Sequence, residues 1–333
     1  MRSLALIQPP ARGRISGGFL YNARMAEGGL WQLVDAAAEA LPGLVRRLPE
    51  AAFILMDSIW LTPEHAPVFL ASRERGVRLG LMLHSFPSMI EATETGQPPR
   101  RQPTPFELEL IERLDVVVVP GRHYAGMLDG IRTPLIIAEP GIDDAWRAEP
   151  RRRSGPCRLV SVGAVTPRKG FLDVAQVLPR LGDHAYTWSV AGSLDVDPGY
   201  VARVRERTHG LPVTLRGQLS PAEARALVQG SDVLLMPSYD ENQPLVLLEA
   251  MAASVPAVAY AAGATRHMLE HGREGCITEI GDAEALGEHI RRLIENEDLR
   301  HRMASACWER QQSLRNWTAA ALHARTELER LLV

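Results

Sequence analysis

The sequence predicts an α/β protein made of two parallel-sheet domains. Short apolar runs of strand length, such as Val116 to Val119 and Asp232 to Met236, alternate with helix-length segments, as repeated βαβ units require. The chain has 333 residues, long for one core and comfortable for two. Ala148 to Pro156, with Arg151-Arg152-Arg153, is charged, proline-bearing and unpatterned, and is expected to link the halves.

Composition narrows the function classes. The chain is 46% hydrophobic and 23% charged, ordinary for a globular protein. A net charge of −3 argues against nucleic acid as a partner. Cys157, Cys276 and Cys307 are scattered, odd in number and without metal spacing, which fits a reducing cytoplasm better than a disulfide scaffold. The apolar run in MRSLALIQPP is too short for a signal peptide, and the longest apolar runs are strand-sized.

Leu4 to Gln8 reads as the first strand, and Pro9 to Gly18 as a turn-rich loop ending in Ser16-Gly17-Gly18. Glycines there let backbone approach a ligand at the carboxyl edge of a parallel sheet, although most glycine pairs are simply turns. No G-x-G-x-x-G is present, so a dinucleotide site is poorly supported. Leu30 to Leu41 suits a helix stopped by Pro42-Gly43, with a short turn over Leu44 to Leu48. Ala52 to Met56 and Val77 to Leu83 are strands, the second ending at His84-Ser85-Phe86. A histidine at a strand's carboxyl end can hydrogen-bond a ligand hydroxyl, although a solitary one is more often structural. Gln97 to Pro105 reads as a proline- and arginine-rich loop, Phe106 to Leu114 as a helix, and Val116 to Val119 as a strand.

In the second half, Arg158 to Val162 is a strand followed by the loop GAVTPRKG, Gly163 to Gly170. Strand-loop-helix order puts Lys169 at a helix start, a point charge suited to a diphosphate; a solvated surface lysine is the plainer reading. Trp188 to Ala191 and Val213 to Leu215 are strands, and Ser220-Pro221-Ala222-Glu223 is a capped helix start. Asp195-Val196-Asp197 imitates a metal-binding D-x-D, but beside Pro198-Gly199 it reads as a solvated turn. His267-Met268-Leu269-Glu270-His271 matches an inverted zinc-protease pattern without a third ligand, and Gly272 reads as a helix stop. Gly281-Asp282-Ala283 opens another capped helix, and Arg300 to Leu332 reads as helical with Trp317 near its middle.

The stretch from Ser231 to Gly263 reads as strand, loop, helix, strand. Asp232 to Met236 is the strand, Ser238 to Gln243 the polar loop, and Pro244 takes the first position of a helix over Leu245 to Ala253. Pro256 to Tyr260 is the next strand. Glu249 interrupts the apolar helix, and an unpartnered buried carboxylate would be costly. It is expected to face a cleft, with Glu241 opening onto the same cleft from the loop. Between them the amides of Leu245 and Val246 point out of the helix start, ready for phosphate. A nucleotide-diphosphate sugar fits an anion flanked by two hydroxyl-accepting acids. The plainer alternative makes Glu241 a solvated loop acid and Glu249 a partly exposed helix residue.

Glu241 and Glu249 with seven residues between them, followed by Ala250-Met251-Ala252 and Pro256, resemble the E-G-F-G-L-x-x-x-E-A-M-A signature of the family-4 (group 1) retaining glycosyltransferases of GT-B fold. Asn242, Gln243 and Pro244 replace its Gly, Phe and Gly. GAVTPRKG resembles the family's G-R-x-x-x-x-K-G loop, with Lys169 in place but Ala164 where the arginine usually stands; Arg168 is the candidate substitute. Gly17-Gly18 with Phe19-Leu20-Tyr21-Asn22 is similar to the family's glycine pair after the first strand, and Pro140-Gly141-Ile142-Asp143 to its P-N-G-V-D turn.

The resemblance implies two Rossmann-like domains facing across a cleft: 1–150 on the acceptor side, 151–310 binding the nucleotide sugar, and 311–333 a helix returning to the first domain. It implies a metal-independent, retaining hexosyltransferase that needs no cofactor and uses a UDP- or GDP-linked sugar. The acceptor is unassigned among a sugar, a lipid-linked sugar and a small molecule. Lys169, Glu241 and His84 are the implied catalytic residues. Gly17, Gly18, Arg168, Asn242, Gln243, Leu245, Val246 and Glu249 are the implied donor-binding residues. A cytoplasmic enzyme is expected; peripheral contact with the inner membrane face stays open, with no basic amphipathic helix demanding it. Two alternatives also stay open: a GT-B nucleotide-sugar epimerase, and a non-catalytic nucleotide-sugar-binding subunit, for which Ala164 speaks.

Overall fold

A computed structural model describes residues 4–11, 13, 16–49, 52–94, 102–182 and 185–332. The chain forms two compact units. Unit 1 is Met1–Gly141 with Arg315–Val333, and unit 2 is Ile142–Leu314.

Unit 1 holds β1 (Leu4–Gln8), β2 (Gln32–Asp35), β3 (Phe53–Asp57), β4 (Arg78–Met82), β5 (Val116–Val119) and β6 (Leu135–Ile137). Their order is β2-β1-β3-β4-β5-β6, all parallel. The four valines of β5 are buried because helices cover both faces of a parallel sheet; each contributes about 2 kcal/mol relative to exposure. Crossover direction reverses between β1 and β3. Gln8, Asp35 and Asp57 end three adjacent strands, and His84 follows the fourth.

Unit 2 holds β7 (Cys157–Val162), β8 (Tyr186–Ala191), β9 (Val213–Gly217), β10 (Val233–Met236), β11 (Ala257–Tyr260) and β12 (Gly275–Thr278). The order β12-β11-β10-β7-β8-β9 is again all parallel. This is the doubly wound Rossmann arrangement, with its switch point between β7 and β10. Trp188, at the centre of the core, donates its indole N–H to Ser161 Oγ at 3.0 Å.

Capping chemistry sets several helix starts. Ser220 and Glu223 form a reciprocal box at Pro221–Gln229, as their spacing predicts, and Thr104 with Glu107 does the same at Pro105–Glu112. Elsewhere local rules lost. Gly17 and Gly18 do not end a loop: they open the helix Gly17–Glu27, capped by Ser16. The expected Leu30–Leu41 helix is instead β2, a short 3-10 turn and the helix Leu41–Arg46, which takes Pro42 into its first turn. Proline lacks an N–H that the first turn does not use, so it starts that helix rather than stopping one.

Pro244 caps the Leu245–Ala252 helix from just outside it, with β-region backbone, rather than occupying the first helical position. The helix before Gly272 ends at Met268, and Gly272 lies in the turn entering β12. The expected single helix from Arg300 is two, Glu297–Gln311 and Trp317–Leu332, so Trp317 begins a helix instead of sitting mid-helix. Asn316 Oδ1 accepts the Ala319 amide at 2.8 Å and starts it afresh. Within unit 1 the Trp317 ring packs edge-on against Tyr21, centroids 5.9 Å apart. Residues 148–156, expected as the linker, lie in unit 2, bound by Ala148 N–H to Ala252 O at 3.0 Å. Most of the Gln97 to Pro105 loop falls outside the described residues.

Candidate functional site

The loops after β7 and β10 leave the sheet on either side of the unit 2 switch point, where open α/β sheets form a ligand crevice. Gly170 lets them meet. Its φ is +67°, and a Cβ there would lie 1.9 Å from Pro237 O, so only glycine fits without displacing backbone. Tyr239 N–H then donates to Arg168 O at 2.9 Å, and Arg168 Nη1 to Asp240 O at 3.0 Å. Across this seam Lys169 Nζ and Glu241 Oε1 form an ion pair in which Glu241 is buried and Lys169 partly so. The Lys169 stem passes over Gly163, where a Cβ would come within 3.2 Å of Cε.

Desolvation would raise the Glu241 carboxyl, but Lys169, Arg168 and hydrogen bonds outweigh it and hold the group below its usual value. Burial lowers the Lys169 ammonium against the pull of Glu241. Sequence reasoning assigned these two residues separate tasks, with no sign that they pair. It also missed their support. Asp173 accepts from Tyr239 OH at 2.7 Å and from Tyr260 OH at 2.6 Å, pinning the β10 loop to the helix Phe171–Val177. An acid in a helix's first turn was the available signal, but nothing in the sequence shows two tyrosines converging on it.

The helix Leu245–Ala252 begins without a side-chain cap. Leu247 N–H donates to Pro244 O at 3.2 Å, and the two preceding amides have no partner four residues back in the helix. Leu245, Val246 and Gln243 are half-buried, so this end reaches the surface, whereas Asn242 is buried. Glu249, also partly exposed, has its carboxyl pushed up to about 7 by burial and then by Asp143. Ala164 lies in the β7 loop, half-buried.

In unit 1 a chain of polar groups, with Gln8, Asn22 and Asp57 buried and Asp35 exposed, ends at the half-buried His84. Gln8 Nε2 donates to Asp35 Oδ1 at 2.9 Å, and Asn22 Nδ2 donates to Gln8 Oε1 at 2.8 Å and Asp57 Oδ2 at 2.9 Å. Because the Asp57 carboxylate only accepts, Asn22 turns its NH2 that way and presents Oδ1 to His84 Nε2, 2.7 Å away. His84 must donate from Nε2. Burial lowers its pKa against the nearby Asp57, so the ring is neutral near pH 7 with its proton on Nε2. A Cβ on Gly18 would come within 3.3 Å of the imidazole, so that glycine admits the ring to the helix start; Gly17 is exposed beside it. Asn22, Asp57, Gln8 and Asp35 were not legible as a site, because they come from three separate strand ends and one helix.

The look-alike motifs dissolve into structure. Asp197 caps the helix Pro198–Arg207, accepting Tyr200 N–H at 2.8 Å. His271 Nδ1 accepts the Ile277 amide at 3.0 Å. No group of three or more potential metal ligands occurs among the described residues. Among them, no helix is long and apolar enough to cross a membrane.

Residues 142–309 match the family described as glycosyl transferases group 1. Glycogen synthase of Mycobacterium tuberculosis is 29% identical over 191 residues, 56% of this chain and 46% of that protein. Phosphatidyl-myo-inositol mannosyltransferase of Mycobacterium leprae is 32% identical over 143 residues, 42% and 37% of the two chains. The aligned part thus spans less than half the length of these curated relatives. In fold, the chain is similar to sucrose-phosphate synthase from Thermosynechococcus elongatus, with TM-score 0.81, 18% identity, and 100% and 99% of the two chains covered. It is also similar to Anabaena HepE in complex with UDP-glucose, at TM-score 0.77 and 16% identity over 99% and 100%. The fold is therefore that of the GT-B glycosyltransferases.

Proposed function

The chain belongs to the group 1 glycosyl transferases, and from that premise we propose that it transfers a sugar from a nucleotide-diphosphate donor to an acceptor hydroxyl, with retention at the anomeric carbon. The observation that carries this reading is the joining of Lys169 and Glu241 at the unit 2 switch point, beside an uncapped helix start. The sugar's bond to the diphosphate oxygen breaks, the acceptor oxygen bonds to the same carbon, and the acceptor's proton leaves with the diphosphate. Charge grows on the diphosphate as the bond lengthens, and fixed donors that meet it there lower the barrier.

Lys169, Arg168 and the amides of Leu245 and Val246 are assigned to that diphosphate. Arg168 then stands in for the arginine that Ala164 replaces. Glu241 takes sugar hydroxyls with Asn242 and Gln243 beside it, and Glu249 takes the ribose. His84 with Gly17 and Gly18 is assigned to the sugar and acceptor. The reading includes no metal and no cofactor. The HepE complex with UDP-glucose supports a UDP-linked donor, with a GDP-linked sugar the other candidate.

Turnover with a range of nucleotide sugars and acceptors tests this. Glu241→Ala and Lys169→Ala are expected to lower kcat by about 100-fold, in variants whose melting shows them folded. Donor-dependent transfer that survives both changes intact would sink the assignment.

A further inference from the structure

A cavity of about 360 Å3 lies in unit 2 at the end of the sheet opposite the Lys169–Glu241 pair. Its wall comes from Arg151–Arg153 just before β7, Ser231 and Asp232 just before β10, and Val255 just before β11, so it sits at the amino edge of the strands. It shares no residue with the site described above.

Five arginines and a histidine line it against three carboxylates. Like charges gathered in a concavity repel one another; Arg152 is offset by Asp298 at 2.8 Å and Glu297 at 3.9 Å, and Arg147 by Asp144 at 3.1 Å, while backbone carbonyls also hold three of the five. Arg300 Nη1 donates to the carbonyls of Leu293 and Ile294 at 2.5 and 2.9 Å. Arg147 donates to the carbonyls of Gln311 and Leu314 at 2.7 and 2.9 Å, and Arg153 to that of Gln229. A carbonyl orients a guanidinium without cancelling its charge. Of the acids, Asp232 is already engaged by the Arg158 amide at 2.8 Å and by Arg153 at 3.6 Å. Burial lowers the Arg153 pKa, and Arg158 and Arg151 push it the same way against Asp232.

The wall is also strained. Ser254, at φ +55°, is the one non-glycine among the described residues with positive φ, a conformation that costs about 1 kcal/mol or more. Its Oγ donates to Ala148 O at 2.5 Å and keeps the arginine-bearing segment against the end of the Leu245–Ala252 helix. The helix's own dipole rewards cations at that end, but only by about 0.3–1 kcal/mol each and only within its last turn. That accounts for little of the positive charge at Arg151 and Arg300.

We propose that this cavity binds a small phosphate monoester, its dianion taken by the guanidinium N–H groups of Arg151, Arg153 and Arg300. The volume suits a molecule of sugar-phosphate size. A free metabolite and a lipid headgroup are the two sources of such an ester, and the site is independent of the donor reading.

Thermal melting of the whole chain with glycerol phosphate, at ionic strength matched with chloride, is the test, because a ligand of the folded state raises Tm. The expected result is a Tm rise that chloride does not give, that persists in Lys169→Ala, and that at least halves in Arg151→Gln/Arg300→Gln. Arg300 also pins backbone, so Arg151→Gln alone carries the test if the double variant melts early without ligand. Co-sedimentation with phosphatidic acid vesicles but not phosphatidylcholine vesicles, lost in the same variants, would support the site and name a lipid as its source. A rise that matches chloride, disappears in Lys169→Ala, or is undiminished in the arginine variants would overturn the proposal.

Discussion

Removing Lys169 would leave the Glu241 carboxylate buried beside Arg168 without its ammonium partner. Breaking one half of such a pair typically costs about 3–5 kcal/mol, and removing both halves much less. Lys169→Met is therefore expected to lower stability to urea by about 3 kcal/mol, and Lys169→Met/Glu241→Gln to recover most of it. Glu249 gives a pH dependence of definite sign. Its folded carboxyl, pushed up to about 7, keeps its proton over a range in which the unfolded chain has already ionised. Stability then falls as pH rises from the ordinary carboxyl range to about 7, by at most about 3 kcal/mol. Melting of the ligand-free protein between pH 5 and 8 should show that fall, and Glu249→Gln should remove it. At His84, Asp57→Asn takes away the negative charge that opposes burial and swaps one of the two acceptor oxygens for an NH2, so Asn22 is no longer held to one orientation. The imidazole pKa should drop further and the Nε2–H tautomer lose its exclusivity, read from long-range proton–nitrogen correlations of the ring.

At the scale of elements, the helix Leu245–Ala252 ties two features together. Its start lies beside the Ser238 to Gln243 loop, and its far end closes as a Schellman turn, with Val255 N–H on Ala250 O at 2.8 Å and Ser254 N–H on Met251 O at 3.1 Å. Serine stands where glycine is usual, and its hydroxyl bond to Ala148 O offsets the backbone cost. Ser254→Ala keeps the strain and loses the bond, and is expected to cost about 1–2 kcal/mol. Ser254→Gly loses both and should stay within about 0.5 kcal/mol of the parent. Gly170→Ala, by contrast, cannot be accommodated without parting the β7 and β10 loops. Lower Tm and weaker donor binding should appear together, in melting and in titration.

Across the whole molecule, unit 1 is discontinuous in sequence, since Arg315–Val333 completes what Met1–Gly141 begins. Trp317 packs on Tyr21, and a Cβ on Gly141 would lie 2.3 Å from the Trp317 amide nitrogen. Trp317→Ala is expected to cost about 3–5 kcal/mol, and limited proteolysis should find the cuts it exposes in unit 1 rather than in 142–314.

Sequence alone was enough for elements whose physics is local: the buried strand of β5 and the Ser220–Glu223 capping box. The first is dictated by a continuous apolar run and the second by a residue three places away. The breaks at Trp317 and at Pro42-Gly43 escaped, because packing rather than propensity decides where an element ends. The same holds for the groups that give the candidate site its electrostatics. Lys169 and Glu241 are 72 residues apart, and His84 meets Asn22 across 62. Sheet order alone brings such residues within hydrogen-bond reach, and at that range proximity sets which atom carries a proton.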